Sequence, residues 1–236
     1  MKPTHALLAL TMLACAAAAH ASPERGGMRW TVDSVVLELV GDDAVIDSTA
    51  TLGAAERAAE AWNGFGIGPQ LTVVRASNDV QAVASYDQHN VISFHHGAWN
   101  GIVGAAAQTQ RVGDAVNGLL FEADVTINGG EIPFCTDGGA AGVDLQSTLT
   151  HELGHVLGLL DDHEHEDATM FSSARLGDTS RRTLSEHDTS ALAALYQGAE
   201  LRPGSGGCSS TEGQGWWWVL ALIPGVAARR AARRSR

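Results

Sequence analysis

Residues 28–198 predict a single α+β domain. Short apolar runs bounded by polar turns alternate there with segments of helical spacing. An apolar share of 44% against 18% charged residues is enough to build a core, and it excludes a disordered or collagen-like chain and a polytopic membrane protein. No segment repeats another, which removes repeat architectures as well.

Taken in order, residues 28–40 are β-rich, with Val32, Val35, Leu37 and Leu39 as apolar anchors. Residues 52–62 read as a helix, because Ala55, Ala58, Ala59 and Trp62 fall on one side at helical spacing. Residues 71–74 and 91–94 are short strands, and 102–107 predict another. Residues 119–127 alternate Leu119, Phe121, Ala123, Val125 and Ile127 with Leu120, Glu122, Asp124 and Thr126, which predicts a strand with one wetter face. Asn128-Gly129-Gly130 ends it, and a Gly-rich loop runs through 137–139. Residues 144–157 form a helix stopped by Gly158. A final helix spans 185–197, with Ser185 as N-cap and Asp188 three residues on. Residues 199–207 are a Pro/Gly/Ser linker.

The residues that carry chemistry lie at 151–170. His151-Glu152-Leu153-Gly154-His155 puts two imidazoles four residues apart, on one helix face and close enough to hold a single metal ion. Glu152, beside them, is placed to take a proton from water activated by such an ion. Gly158 permits a sharp left-handed helix end, which returns the chain so that residue 161 reaches the same ion. Asp161 stands there, and His163 and His165 compete with it, since 161–165 read Asp-Asp-His-Glu-His. The spacing of three from Gly158 favours Asp161. A buried helix with two satisfied histidines would explain neither the glycine nor the acid.

With those residues in place, the chain over about 28–198 resembles the matrixin group of metzincin metallopeptidases. Trp30, the helix ending at Trp62, residues 118–128, Leu149-Thr150-His151, Ala168-Thr169-Met170 and residues 184–196 sit where that family places similar segments. The resemblance implies a twisted mixed sheet with a zinc-binding active-site helix and a C-terminal helix, over a domain of residues 22–198. It implies one catalytic Zn2+ held by His151, His155 and Asp161, with Glu152 as general base and Met170 as the Met-turn beneath the metal. It implies protein or peptide substrates, added as an extended strand near Val103-Gly104-Ala105, with Phe171 and its successors walling the pocket for the side chain after the cut. The implied activity is that of a zinc metalloendopeptidase, acting as a monomer.

Three features depart from the family pattern. Most matrixins carry histidine where Asp161 stands, although a minority of metzincins use aspartate. No cysteine-switch propeptide is evident, which leaves Cys135 as either a thiolate cap on zinc or, as its Gly-rich loop favours, a plain free thiol. The histidine and acid pattern of the structural zinc loop is absent too; His89, His95 and His96 are close enough to bind a metal, but ordinary surface roles are favoured. Ca2+ would suit so acidic a body, yet no loop specifies a site. The competing reading is a non-catalytic surface binding protein with a structural zinc, which requires a fourth protein ligand from His163 or His165.

Both ends read as addresses. Lys2, the apolar run over 6–19 and Ala19-His20-Ala21 predict a cleaved signal peptide at 1–21, with Leu13-Ala14-Cys15 as a lipoprotein alternative. Beyond the linker, Cys208 leads into a polar spacer, thirteen apolar residues at 216–228 and five arginines in the last eight positions. That run is short against the roughly 20 residues of a membrane span, and the arginines would stay cytoplasmic. Residues 206–236 resemble the myxobacterial-type (MYXO-CTERM) sorting tail, in which the cysteine is the processing and anchoring point. The resemblance implies a sorting signal at 208–236, a sorting protease acting at Cys208, membrane attachment through this tail only, and a cell-surface or extracellular location; a plain tail anchor is the alternative.

Between the ends, residues 22–208 hold 26 acids and 9 bases, a net of −17, with no lysine. Such a body repels phosphate backbones and excludes nucleic acid as a partner. Cys135 is the only cysteine between Cys15 and Cys208, so no disulfide forms within the body.

Overall fold

The computed structural model describes residues 27–81, 86–197 and the backbone of 216–217. The predicted signal peptide, Cys15, the linker and Cys208 lie outside them. Strand β1 (Ser34–Val40), helix α1 (Ser48–Asn63) and strands β2 (Gln70–Arg75), β3 (Val91–Phe94), β4 (Ala107–Asp114) and β5 (Leu119–Ile127) follow in order. They build a mixed sheet in the order β2-β1-β3-β5-β4. Strand β1 is parallel to β2 and β3, and β3 is parallel to β5. Only β4 runs antiparallel, against β5. A short parallel pair, β6 (Phe134–Cys135) and β7 (Val143–Asp144), leads into α2 (Leu145–Val156). A 3-10 turn at Ser180–Arg182 and helix α3 (Glu186–Gln197) complete the domain. Strand β8 (Trp216–Trp217) pairs antiparallel with β4 at Gln108 and Thr109. This is the α+β architecture that the alternating pattern predicts.

The pairing of α1 with α2 positions the chemistry. Ala54, Ala55, Ala58 and Ala59 give α1 a small-residue face that lets α2 approach closely, and Trp62 closes its end. The Trp62 indole donates to the Thr150 carbonyl at 2.7 Å, and the Trp30 indole donates to the Val156 carbonyl at 2.7 Å. Both bonds satisfy a buried polar edge while the ring fills the core. Leu37, Leu39, Ile92, Val125 and Ile127 supply the sheet side of the same core.

Several local expectations change. Helix α1 starts at Ser48, four residues earlier than its apolar spacing suggests, because the Asp47 carboxylate caps it, accepting from Thr49 and Ala50 N–H at 3.0 Å each. Val32 is not a core anchor; it precedes β1 and is half exposed. Of the predicted strand 102–107, residues 102–106 form a turn, and the strand begins only at Ala107. Its sequence, Ala-Gln-Thr-Gln-Arg-Val-Gly-Asp, lacks the apolar alternation that marks a strand. On β5, Phe121 is 49% exposed while Leu120 is buried. A bulge explains this: Val112 pairs with Glu122 but Gly113 pairs with Leu120, so Phe121 is the extra residue and the inward face flips across it. Glu122 and Asp124 are buried rather than wet, since they accept backbone N–H groups of Gln88 and Val91.

Candidate metal centre and active site

Asp144 opens α2. One of its carboxylate oxygens accepts from Ser147 N–H at 2.8 Å and from Arg182 Nε at 2.9 Å. Every residue of the helix is buried, so its polar side chains need partners within the protein. His151 Nδ1 donates to the Thr169 carbonyl at 2.8 Å, and His155 Nδ1 donates to the Leu159 carbonyl at 2.9 Å. Burial, with His155 beside it, holds His151 well below the ordinary histidine range. In a neutral ring with Nδ1 protonated, Nε2 carries the lone pair.

The helix then ends as the chain requires for a third group to arrive. Gly158 has φ +101°, and a Cβ there would lie 1.8 Å from the Met28 carbonyl oxygen, so only glycine fits. The turn brings Asp161 back, with Oδ1 at 3.3 Å from His151 Nε2 and 3.6 Å from His155 Nε2. One ligand atom from each of His151, His155 and Asp161 lies within 4.8 Å of the others. His155 Nε2, Asp161 Oδ1 and Glu152 Oε1 are buried and make no hydrogen bond. Lone pairs aimed at one another at these separations repel unless a cation lies among them. Two imidazole nitrogens and one carboxylate oxygen, with no fourth protein donor in the group among the described residues, suit zinc at a site with an open position.

Glu152 is fully buried beside this group. Burial pushes its carboxyl up to about 7, opposed by His155 and by a hydrogen bond from the Thr109 hydroxyl. Arg111 comes in from β4, donating to the Leu159 carbonyl that His155 also uses, at 3.4 Å. Burial brings that guanidinium down to about 10, with Asp161 nearby opposing the shift.

Met170 is buried under α2, so close that a Cβ on Gly154 would lie 2.2 Å from its sulfur. The turn holding it is pinned by Asp188 of α3, whose carboxylate accepts from Thr169 N–H at 2.8 Å and Met170 N–H at 2.9 Å. The same carboxylate accepts from Ser185 N–H at 2.7 Å. Thr169, whose carbonyl orients His151, is thereby fixed from the far end of the domain.

A profile of the matrixin family matches residues 29–197, well over half of the chain. The chain is a matrixin. No curated protein matches it. The family implies a catalytic zinc and a metalloendopeptidase, and the matched span holds the whole cluster just described.

Other residues of this matrixin that the sequence singles out lie elsewhere. His163 hydrogen-bonds with the Ser172 hydroxyl at 3.0 Å, and His165 bonds Asp162 at 2.8 Å while stacking on His187. Neither joins the cluster. Cys135 also stays apart; its thiol donates to the Gly139 carbonyl at 3.3 Å, and burial with Asp144 and Asp137 nearby pushes its pKa up. His89 pairs with Glu38, His95 bonds the Ala98 carbonyl and His96 the Asp42 carbonyl, so they form no second metal group. Val103, Gly104 and Ala105 sit in the turn before β4; Val103 is 90% exposed, and the Ala105 carbonyl accepts from the Asn128 amide at 3.1 Å. Phe171 lies under Arg181, which donates to its carbonyl at 3.0 Å.

Two contributors escape the sequence. The Ser185 and Asp188 pattern points to a helix cap, and nothing in it says that the same carboxylate reaches Thr169 and Met170. Thr109 carries no signal at all, because its strand is polar and 43 residues separate it from Glu152.

Proposed function

We propose that this matrixin is a secreted zinc endopeptidase, held at the cell surface through its C-terminal segment, that uses Glu152 as its general base. The observation carrying the catalytic part is the convergence of His151 Nε2, His155 Nε2 and Asp161 Oδ1, beside an unbonded Glu152 Oε1. Zinc, when bound, supplies Lewis acidity that polarises the scissile carbonyl and makes water a better nucleophile near neutral pH. Glu152 Oε1 takes a proton from the attacking water and passes it to the leaving amine. The hydrogen bonds of His151 and His155 to backbone carbonyls keep both Nε2 atoms oriented for the ion.

The substrate lies extended along residues 103–105 and the outer edge of β4. The antiparallel pairing of β8 with Gln108 and Thr109 supports an edge able to accept an added strand. Phe171, two residues after Thr169, walls the pocket for the side chain following the cut. The lack of a fourth protein ligand among the described residues favours this reading over a structural zinc clip.

Secretion rests on the predicted signal at 1–21, and surface attachment on Cys208. Mass spectrometry of the mature termini tests both: a C-terminus at or near Cys208 supports sorting, and an intact 216–236 segment supports a plain anchor. Profiling the cleavage of a peptide library by the zinc-loaded protein tests the activity. A zinc-loaded protein that cuts nothing overturns the peptidase reading.

A further inference from the structure

We infer that Thr109 is a positioning residue for the general base: its hydroxyl holds one oxygen of Glu152 so that the other faces the space shared by His151, His155 and Asp161. The inference rests on the peptidase reading and extends it to a residue on the opposite element. Thr109 lies on β4, paired with Val125 of β5, and its side chain faces inward at 3% exposure. Its Oγ1 donates to Glu152 Oε2 at 2.5 Å and lies 3.3 Å from the Glu152 carbonyl oxygen. Glu152 Oε1 is equally buried and makes no hydrogen bond. The two oxygens of one carboxylate therefore stand in different surroundings.

That difference has a chemical consequence. The terminal torsion of a glutamate is broad and roughly two-fold, so an unheld carboxylate turns and presents either oxygen. Held at Oε2, Glu152 keeps Oε1 towards the cleft. As the water oxygen bonds to the scissile carbon, its O–H bond breaks and the proton passes to Oε1. As the C–N bond breaks, that proton leaves Oε1 for the amine nitrogen and the carboxylate is restored. Oε2 accepts from Thr109 throughout, and the threonine proton does not transfer. A hydrogen bond to an ionised oxygen is stronger than a neutral one, and its loss leaves a buried charge without a donor.

Thr109→Val keeps the branched shape and the strand preference but removes the donor, and Thr109→Ser keeps the donor. Valine should lower kcat by roughly 10- to 100-fold, the range expected when a reacting group is misplaced by about 1 Å. KM and zinc content should change little, and serine should stay within about threefold of the parent in kcat. Should the valine protein not fold, Thr109→Ala is read in the same way. A second readout needs no activity. In the zinc-free protein at pH 8, Thr109→Val should lower the unfolding temperature by roughly 5 °C more in the parent than in the Glu152→Gln background, where the charge is gone.

A kcat above half the parent value in the valine variant overturns the inference. So does a kcat loss that serine fails to restore, or equal thermal losses in the two backgrounds, since each indicates packing alone. A parent protein that binds zinc and cleaves nothing overturns the peptidase reading instead, and the thermal comparison then still decides whether the Thr109 bond to Glu152 exists.

Discussion

Helix α2 and strand β4 meet at Glu152 from opposite sides and are built on different plans. The helix carries its chemistry at a fixed local spacing, with His151, Glu152 and His155 inside two turns and every residue buried. Strand β4 contributes Thr109 and Arg111, two residues apart on an inward row whose burial is uneven. Moving a histidine by one position on α2 would take it off the side that His151 and His155 share with Asp161. Shifting the register of β4 against β5 by one would exchange Thr109 for Gln108 or Gln110 beside Glu152. One half of the site is thus specified by local geometry, the other by pairing across the sheet.

The sharpest way to break that division is at Glu152 itself. Glu152→Ala should lower peptide hydrolysis by about 100-fold or more, with zinc content staying near one per chain by metal analysis. Glu152 adjoins His151 and stands three residues before His155, yet it is not part of the group that they form with Asp161. Loss of zinc, or retention of more than about a tenth of the activity, would sink the assignment of base and ligands to neighbouring residues of one helix.

A second test separates the helix from the turn that follows it. Asp161→Ala should lose most of its zinc, because the carboxylate is the group facing both Nε2 atoms. His163→Ala and His165→Ala should keep theirs, since Ser172 and Asp162 engage those rings. If His163→Ala empties the site and Asp161→Ala does not, Gly158 does not aim the chain as its positive φ suggests.

The same contrast explains what could be read from the sequence. The α+β class, the helix that buries Trp62, the helix that stops before Gly158, and the grouping of 151, 155 and 161 all follow from short-range spacing. Strand β4 did not declare itself, because a strand of Gln, Thr, Gln and Arg has no period-two apolar signal when its polar side chains serve a buried site. Phe121 misled for a related reason: a single bulged residue inverts the faces, and alternation cannot say which residue is extra. Asp188 was legible as a cap and illegible as a clamp, since its second set of partners lies 18 and 19 residues away.

Asp188 therefore gives the next test, of a support that belongs to neither α2 nor β4. Asp188→Ala strands the buried Thr169 and Met170 N–H groups, which should destabilise the protein by about 2–4 kcal/mol in urea unfolding. Because Thr169 orients His151, zinc affinity should also fall by roughly 10-fold or more. A stability loss with unchanged zinc affinity would show that the turn at Thr169 and Met170 is a structural brace only.

The smallest expected effect concerns charge at the junction of helix and strand. Burial raises the Glu152 carboxyl from 4.5 to about 7 in the metal-free protein. A group whose folded value lies above its unfolded value contributes stability below the unfolded value and loses it as pH rises through the folded one. Above pH 7 the folded protein must therefore hold a desolvated carboxylate, which Glu152→Gln removes. The variant should unfold with a free energy higher by on the order of 2 kcal/mol at pH 8 without zinc. That gain should shrink as pH falls through 7 and be gone near 4.5, where both states of the parent carry a neutral acid. A cation among the ligands favours the ionised carboxylate, so zinc should reduce the gain at pH 8 as well. Urea unfolding at three pH values, with and without zinc, reads all of this. If Glu152→Gln is neutral at pH 8 in the zinc-free protein, the Thr109 hydroxyl and the neighbouring dipoles already offset the burial of the charge, and folding does not raise the Glu152 carboxyl.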